Sequence, residues 1–243
     1  MISELLHPFL PSAELIDRLW FPISSISVLA AAFAGWLRVK KKVRIPFTRK
    51  IFHFIIFSLA GLLQFRYGLQ AVSLLGGFVF LMVLLVVFLG DRLWFYQALA
   101  RQTDEPHQKK FIILPLLATA TGGILSNIFF PHTAFIGYFV GGWGDAIGEP
   151  VGTTWGKNKY TVPTLFGVRA TRSIEGSVAV FGVSSLVAAY FILQITSLPL
   201  LSVIGIGLLC GLVAALVEAI SSHGLDNLTI QLTAAGFLHA LLF

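Results

Sequence analysis

Long apolar segments dominate the chain, and short polar segments separate them. Eight of the apolar segments approach the roughly 20 residues that a helix needs to cross a bilayer. They lie near 19–37, 51–66, 68–90, 111–130, 133–152, 173–194, 198–220 and 226–243. Leucine, alanine and phenylalanine run through them continuously, whereas a transmembrane β-barrel requires alternating polar and apolar residues. The pattern predicts an all-α, polytopic transmembrane helical bundle of about eight spans.

The composition agrees with a membrane protein. Hydrophobic residues make up 56% of the 243 residues and charged residues 12%, and the mean hydropathy is +0.86. A water-soluble domain of this size has a lower hydrophobic content and a lower mean hydropathy. We expect residues 1–243 to form a single integral-membrane domain. The one cysteine, Cys210, excludes a disulfide or a thiolate metal cluster within the chain.

The basic residues predict an orientation in the membrane. All but two of the 17 lysines and arginines, the exceptions being Arg18 and Arg66, lie in or beside the first, third and fifth connections between spans. Because such residues accumulate in cytoplasmic loops, these connections should face the cytoplasm and both termini the opposite side. The net charge of +6 therefore reflects topology and attraction to membrane lipids, not nucleic-acid binding.

Acidic residues gather at one predicted depth. Of the 11 acids, five fall at the cytoplasmic ends of predicted spans, namely Asp145, Glu149, Glu175, Glu218 and Asp226. The others lie near the N terminus or in the third connection, where we expect ordinary solvated charge. A charge at membrane depth costs about 2.5 to 3.5 kcal/mol on insertion scales, so it normally lines a cavity or meets a partner.

Asp145 and Glu149 form a pair of like charges within the fifth segment. Their spacing of four residues places them on one face of a helix. A divalent cation such as Mg²⁺, which also binds nucleotide phosphates, would relieve their repulsion. The alternative is a set of salt bridges to Arg169, Arg172 or Lys50, or one carboxyl protonated by burial.

Glycine recurs at every fourth position through the same segment. The repeat comprises Gly144, Gly148, Gly152 and Gly156. Helix packing of the small-xxx-small type is one explanation. The lysines that follow, Lys157 and Lys159, favour another, because glycine backbone and basic side chains beside two acids suit a metal-bound polyphosphate. The segment is not a Walker A loop, since only three residues separate its glycines and Asn158 follows Lys157.

Three motifs resemble the membrane-embedded CTP-dependent lipid kinases, which include dolichol kinase and phytol or farnesol kinase. They are TRKIFHF at 48–54, GDAIGEPVGTTWGKNKY at 144–160 with TRSIEGS at 171–177, and VEAISSHGLDNLTIQL at 217–232. Two departures from the family pattern are Glu149-Pro150, where many members are less acidic, and Gln231, where a proline is common. The first leaves the number of metal ions open.

The resemblance implies transfer of the γ-phosphoryl group of CTP to the hydroxyl of an isoprenoid alcohol, with Mg²⁺, at the cytoplasmic interface. It assigns Asp145 and Glu149 to the metal. Asp145 also counts as catalytic, together with Asp226 as the proton acceptor, which Glu218 and Asn227 would orient. The residues assigned to the nucleotide or its phosphates are Gly144, Gly148, Gly152, Gly156, Lys157, Lys159, Arg169, Arg172, Glu175, Arg49, Lys50 and His53.

Two other functions remain open. A phosphatidate cytidylyltransferase also combines CTP, Mg²⁺ and a lipid, but its His-Gly-Gly signature is missing, because Leu225 follows His223-Gly224. An ion-coupled transporter would use the acids as an ion path, but the acids gather at one depth instead of stepping across the bilayer. The sequence identifies neither the lipid alcohol nor the oligomeric state.

Overall fold

The computed structural model describes residues 7–166 and 169–243. The chain forms two compact units, one extending to Leu99 and the other running from Ala100 to Phe243. The helices of the first unit are α1 (Ala13–Val39), α2 (Ile45–Tyr67), α3 (Leu69–Leu89) and α4 (Trp94–Leu99). Short 3₁₀ turns lie at His7–Phe9 and Gly90–Arg92.

Local sequence signals set the helix ends in the first unit. Ser12 caps α1, because its hydroxyl accepts a hydrogen bond from the backbone N–H of Leu15 at 3.3 Å. Pro46 lies in the first turn of α2, where its missing N–H costs no helical hydrogen bond. Gly68 separates α2 from α3 with a φ of 80°, which glycine adopts without strain.

The second unit contains five long helices and a β-hairpin. Its elements are a 3₁₀ turn (Gln102–Asp104), α5 (Gln108–Phe129), α6 (Ala134–Trp155), β1 (Lys159–Val162), β2 (Ala170–Ser173), α7 (Ile174–Ile195), α8 (Leu200–Ile220) and α9 (Asp226–Leu242). The strands are antiparallel, and Tyr160 lies opposite Arg172. A core of buried side chains from α6 to α9 includes Ile136, Ile192 and Ile230. Cys210 lies in this core as a packing residue.

The structure confirms an all-α polytopic fold with a slightly smaller number of spans. Within the part of the chain that the structure describes, six helices are long and apolar enough to cross a membrane, namely α1, α2, α3 with its continuation to Arg92, α5, α7 and α8. The two other predicted spans, α6 and α9, form helices but are not among these candidates. With 17 residues, α9 is too short to be such a candidate. The glycines and two acids of α6 make that helix too polar.

The hairpin is an element that the hydrophobic pattern missed. The sequence predicted only a connecting loop between the fifth and sixth spans, whereas β1 and β2 occupy part of it. The hairpin leads directly into α7, because Ser173 ends β2 and also caps the helix. Its Oγ accepts a hydrogen bond from the backbone N–H of Gly176 at 3.1 Å. This junction fixes the position of Arg172 beside the start of α7.

Candidate functional site

One guanidinium in the second unit joins the hairpin to the last two helices. Arg172 Nε lies 2.8 Å from Glu218 Oε1, and Arg172 Nη2 lies 2.9 Å from Asp226 Oδ2. The three side chains are only 12 to 16% exposed. Buried charges need such charge-assisted hydrogen bonds to offset their lost hydration. Arg172 therefore holds the end of α8 and the start of α9 against β2.

A chain of hydroxyl groups leads from the hairpin to the same carboxylate. Ser177 Oγ donates to Glu218 Oε2 at 3.1 Å and lies 2.7 Å from the hydroxyl of Tyr160. Because Ser177 has one hydroxyl hydrogen and gives it to Glu218, Tyr160 must donate to Ser177. Burial is the main cause that raises the pKa of Tyr160, and the negative charge of Glu218 raises it further. The hydrogen bond with Ser177 and the positive charge of Arg172 lower the pKa, but the net shift is upward. The phenol therefore stays protonated and can serve as this donor.

A second buried guanidinium, that of Arg101, joins three further segments of this unit. Its Nη1 lies 2.8 Å from Glu149 Oε1, its Nε lies 3.0 Å from Asp104 Oδ2, and its Nη2 lies 2.8 Å from His223 Nε2. Arginine has only donors, so His223 Nε2 accepts this hydrogen bond. Burial lowers the pKa of Arg101, but attraction by Glu149 and Asp104 outweighs it and leaves the pKa raised. Asp226 adds to this attraction, which links the two arginine clusters.

Sequence reasoning missed three members of the second cluster, Arg101, Asp104 and His223. The expectation that Asp104 is ordinary solvated charge is wrong, because its side chain is buried and paired with Arg101. The sequence offered one signal, an arginine and an aspartate three residues apart. Nothing in it indicated that they would meet Glu149 at the end of α6.

The predicted metal pair lies at the same end of α6. Asp145 is 7% exposed and interacts electrostatically with Glu218. Glu149, one turn later, has Arg101 as its ion-pair partner within the second unit. The carboxylates of Asp145, Glu218 and Asp226 therefore lie near enough within the second unit for their charges to interact.

The donor set suits Mg²⁺ only if a ligand completes the coordination. Among the residues that the structure describes, no group of three or more His, Cys, Asp or Glu side chains is arranged to hold a metal ion. Mg²⁺ usually takes one or two carboxylates and completes its shell with water and substrate phosphates. Asp145 and Glu149 are two such carboxylates, Glu149 is already paired with Arg101, and their assignment to Mg²⁺ stays a prediction.

The glycine repeat serves helix packing. A Cβ atom at Gly148 would lie 2.5 Å from Val180 Cγ2 of α7, and one at Gly144 would lie 2.9 Å from Ser184 Oγ. Gly176 of α7 makes the reciprocal approach, because its Cβ would lie 2.9 Å from the carbonyl oxygen of Gly148. The close contact of α6 with α7 accounts for these glycines, as the packing alternative stated.

The end of the repeat packs in the same way. A Cβ at Gly152 would lie 2.9 Å from Ser173 Oγ, and one at Gly156 would lie 2.5 Å from the same atom. Ser173 is the cap of α7, so all four glycines pack against the first half of that helix, between Ser173 and Ser184. The assignment of these glycines to the nucleotide phosphates stays a prediction.

The predicted phosphate-binding cations differ in their surroundings. Lys157, Lys159 and Arg169 are exposed at the hairpin, whereas Arg172 is committed to two carboxylates. Glu175 accepts hydrogen bonds from the side chain of Asn158 at 3.0 Å and from its backbone N–H at 3.3 Å. Its observed contacts therefore order the start of the hairpin.

The remaining predicted residues lie in the first unit, on the first turns of α2. They are Arg49, Lys50 and His53. Lys50 is buried, and the ring of His53 stacks on Phe57 with a centroid distance of 4.1 Å. Their assignment to the nucleotide stays a prediction.

The chain is similar to the phytol kinase of Synechocystis sp., with 33% identity over 117 residues. The match covers 46% of this chain and 48% of the relative, and so spans about half the length of that protein. No family model matches the chain, and no solved structure does. The relative confirms the resemblance to the phytol and polyprenol kinases that the three motifs indicated.

Proposed function

We propose that this protein is a membrane-embedded lipid kinase. It transfers the γ-phosphoryl group of CTP to an isoprenoid alcohol of the phytol, farnesol or dolichol type, with Mg²⁺, at the cytoplasmic interface. The observation that carries the proposal is the gathering of Asp145, Glu218 and Asp226 with Arg172 at one place in the second unit. The similarity to a phytol kinase supports the same class of reaction.

Phosphoryl transfer depends mainly on positioning and on neutralising the charge of the phosphates. Asp145 and Glu149 would hold Mg²⁺, which neutralises phosphate charge when it is bound. Lys157, Lys159 and Arg169 would supply further positive charge from the hairpin. Asp226 is the proposed proton acceptor, and Arg172 fixes its orientation through Asp226 Oδ2.

An assay of donors and acceptors tests the proposal. The purified protein is incubated with labelled CTP, ATP, GTP or UTP and with phytol, farnesol, geranylgeraniol, dolichol or diacylglycerol. Release of CDP together with an isoprenoid phosphate supports the proposal. Release of pyrophosphate would instead identify a cytidylyltransferase. Ion flux in proteoliposomes with no nucleotide turnover would identify a transporter.

Replacing Lys157 with alanine tests the phosphate contacts. A hydrogen bond to a charged group contributes about 1.5 to 3 kcal/mol, which corresponds to roughly ten- to a hundredfold in affinity or rate. We expect KM for CTP to rise, or turnover to fall, by that order, with the preference among alcohols unchanged. Lys109→Ala, at another exposed lysine, is the control and should leave CTP kinetics unaltered. Equal kinetics in the two variants would remove Lys157 from the site.

Cysteine labelling tests the proposed orientation. Cys210 is buried and is first replaced with alanine. A cysteine at Lys41 or Lys159 should then react with a membrane-impermeant maleimide only from the cytoplasmic side, because both positions belong to the basic connections. A cysteine at Ser3, which lies outside the described residues, should react only from the other side. The opposite pattern would reverse the orientation.

A further inference from the structure

The hydrogen bonds around Asn227 fix the orientation of its side-chain amide. Asn227 is the second residue of α9 and is 5% exposed. Its Nδ2 donates to Thr119 Oγ1 of α5 at 2.9 Å, and Thr119 Oγ1 donates to the carbonyl oxygen of Pro115 at 2.8 Å. A threonine hydroxyl has one hydrogen, so Thr119 must accept from Asn227. The amide nitrogen therefore faces Thr119, and Oδ1 is the atom that remains for another partner.

Two buried polar atoms beside Asp226 have no partner among the described residues. Asn227 Oδ1 has no donor, and Arg172 Nη1 has no acceptor. Asp226 connects them, because its Oδ2 accepts from Arg172 Nη2 at 2.9 Å and its Oδ1 accepts from the backbone N–H of Asn227 at 3.0 Å. Leaving a buried donor or acceptor unsatisfied costs free energy. Such a pair of atoms in a native protein therefore calls for an explanation, and a bound partner is one.

A single partner for both atoms must supply both a donor and an acceptor. A hydroxyl group does so with one oxygen atom. A phosphate dianion or a carboxylate has only acceptors, and a hydrocarbon has neither. The side chains of Arg172 and Asp226 are 12% and 16% exposed, whereas the two unsatisfied atoms are themselves buried.

We propose that Asn227 Oδ1 and Arg172 Nη1 form the subsite that binds the hydroxyl group of the acceptor alcohol. The hydroxyl donates to Asn227 Oδ1 and accepts from Arg172 Nη1, and this holds its oxygen beside Asp226. The inference rests on the proposed function. It identifies the residues that distinguish an alcohol from other lipids. It is a ground-state binding contact and not the proton transfer itself.

The subsite also discriminates against the product. A lipid monophosphate in its dianionic form has no hydrogen to donate to Asn227 Oδ1, so two sets of lone pairs would face each other. Binding sites built to hydrogen-bond a hydroxyl strongly reject analogues that leave their buried polar groups unpaired. The phosphorylated lipid should therefore bind less tightly than the alcohol.

Equilibrium binding without nucleotide or Mg²⁺ tests the subsite. Radiolabelled phytol is bound to the full-length protein in nanodiscs and competed with unlabelled phytol, with phytene of the same carbon skeleton, and with phytyl phosphate. We expect phytol to compete at least tenfold better than phytene or phytyl phosphate. Asn227→Leu, which removes the acceptor at similar volume, should abolish this preference and leave the affinity for phytene unchanged.

Two further variants separate recognition from folding. Thr119→Val keeps the shape of α5 but releases the amide of Asn227, so the preference for phytol should fall severalfold. Gln102→Leu removes an exposed side-chain amide elsewhere in the same unit and should leave the preference intact. If Asn227→Leu does not fold, the preference of Thr119→Val for phytol over phytene alone decides whether the subsite exists.

The outcomes distinguish the subsite from the enzyme class. Phytol binding with an unchanged preference in both Asn227→Leu and Thr119→Val overturns the subsite and leaves the lipid kinase standing. Failure of the wild-type protein to bind phytol, farnesol, geranylgeraniol and dolichol alike overturns both proposals. Asn227→Leu could also weaken the binding of phytene and of phytol to the same extent. That result would show a structural role for Asn227 and would also overturn the subsite.

Discussion

Replacing Arg172 with alanine should destabilise the protein and abolish its kinase activity. Removing one partner of a buried ion pair costs about 3 to 5 kcal/mol, because the other charge is left buried and unpaired. Arg172→Ala leaves two such charges, those of Glu218 and Asp226. A loss of this size lowers the unfolding temperature of a protein of this length by at least about 6 °C. Thermal unfolding of the purified protein in detergent measures it.

Arg169→Ala is the matched control for stability. Arg169 is exposed three residues earlier in the same connection, and exposed substitutions usually change stability by less than about 0.5 kcal/mol. The double variant Arg172→Ala/Glu218→Gln should recover part of the loss, since it removes one of the stranded charges. Equal unfolding temperatures for Arg172→Ala and Arg169→Ala would show that the two ion pairs contribute nothing.

The kinetic effect of Arg172→Ala separates two roles for this residue. The sequence assigned Arg172 to a phosphate, which predicts a raised KM for CTP. In the structure, two of its nitrogens hold Glu218 and Asp226, which predicts a fall in kcat and a raised KM for the alcohol. A change confined to KM for CTP, in protein that remains folded, would restore the phosphate assignment.

The gathering of acids was predictable, but their partners were not. Segment lengths and alternating directions place Asp145, Glu218 and Asp226 near one membrane surface, and the structure brings them together. The pairing of Arg101 with Glu149 joins residues 48 positions apart in the chain. It depends on how the segment after α4 folds within the second unit, and hydropathy carries no information about that path.

The glycine repeat shows a different limit of sequence reasoning. A close helix contact and a phosphate-binding backbone both require residues without side chains on one face, so Gly144 and Gly148 fit either. The distinction lies in what faces them, and α7 supplies Val180 and Gly176. That information belongs to another segment and becomes visible only when the two helices are packed.

The hairpin escaped prediction for a related reason. Its strands are four residues long, and a two-stranded hairpin of this length gains its stability from packing against other elements. Thr161, Val162 and Thr171 have the branched side chains that favour strands, but a loop between two spans tolerates them equally. The contact from Tyr160 through Ser177 to Glu218 is one that holds the hairpin in place.

The conservative substitution Asp145→Asn is expected to abolish turnover while the fold remains intact. Asparagine has nearly the same shape as aspartate, so the packing around this buried position should be retained. The carboxylate is needed to hold the cation that neutralises the phosphates, and losing one such electrostatic contact typically lowers kcat by about 10² to 10³. Initial rates at saturating and at limiting Mg²⁺ measure the effect, and thermal unfolding confirms that the protein is folded.

Glu105→Gln makes the same chemical change at an exposed acid beside α5 and should retain wild-type rates. Calorimetric titration with Mg²⁺ and CTP adds a measurement that is independent of turnover. Because Asp145 supplies one of the two proposed protein ligands, Asp145→Asn should weaken binding of the metal–nucleotide complex and leave the binding of phytol in the absence of metal unchanged. Full activity of Asp145→Asn at limiting Mg²⁺ would mean that this carboxylate is not a metal ligand. The charge of Asp145, which acts on Glu218, would then have no part in binding the metal.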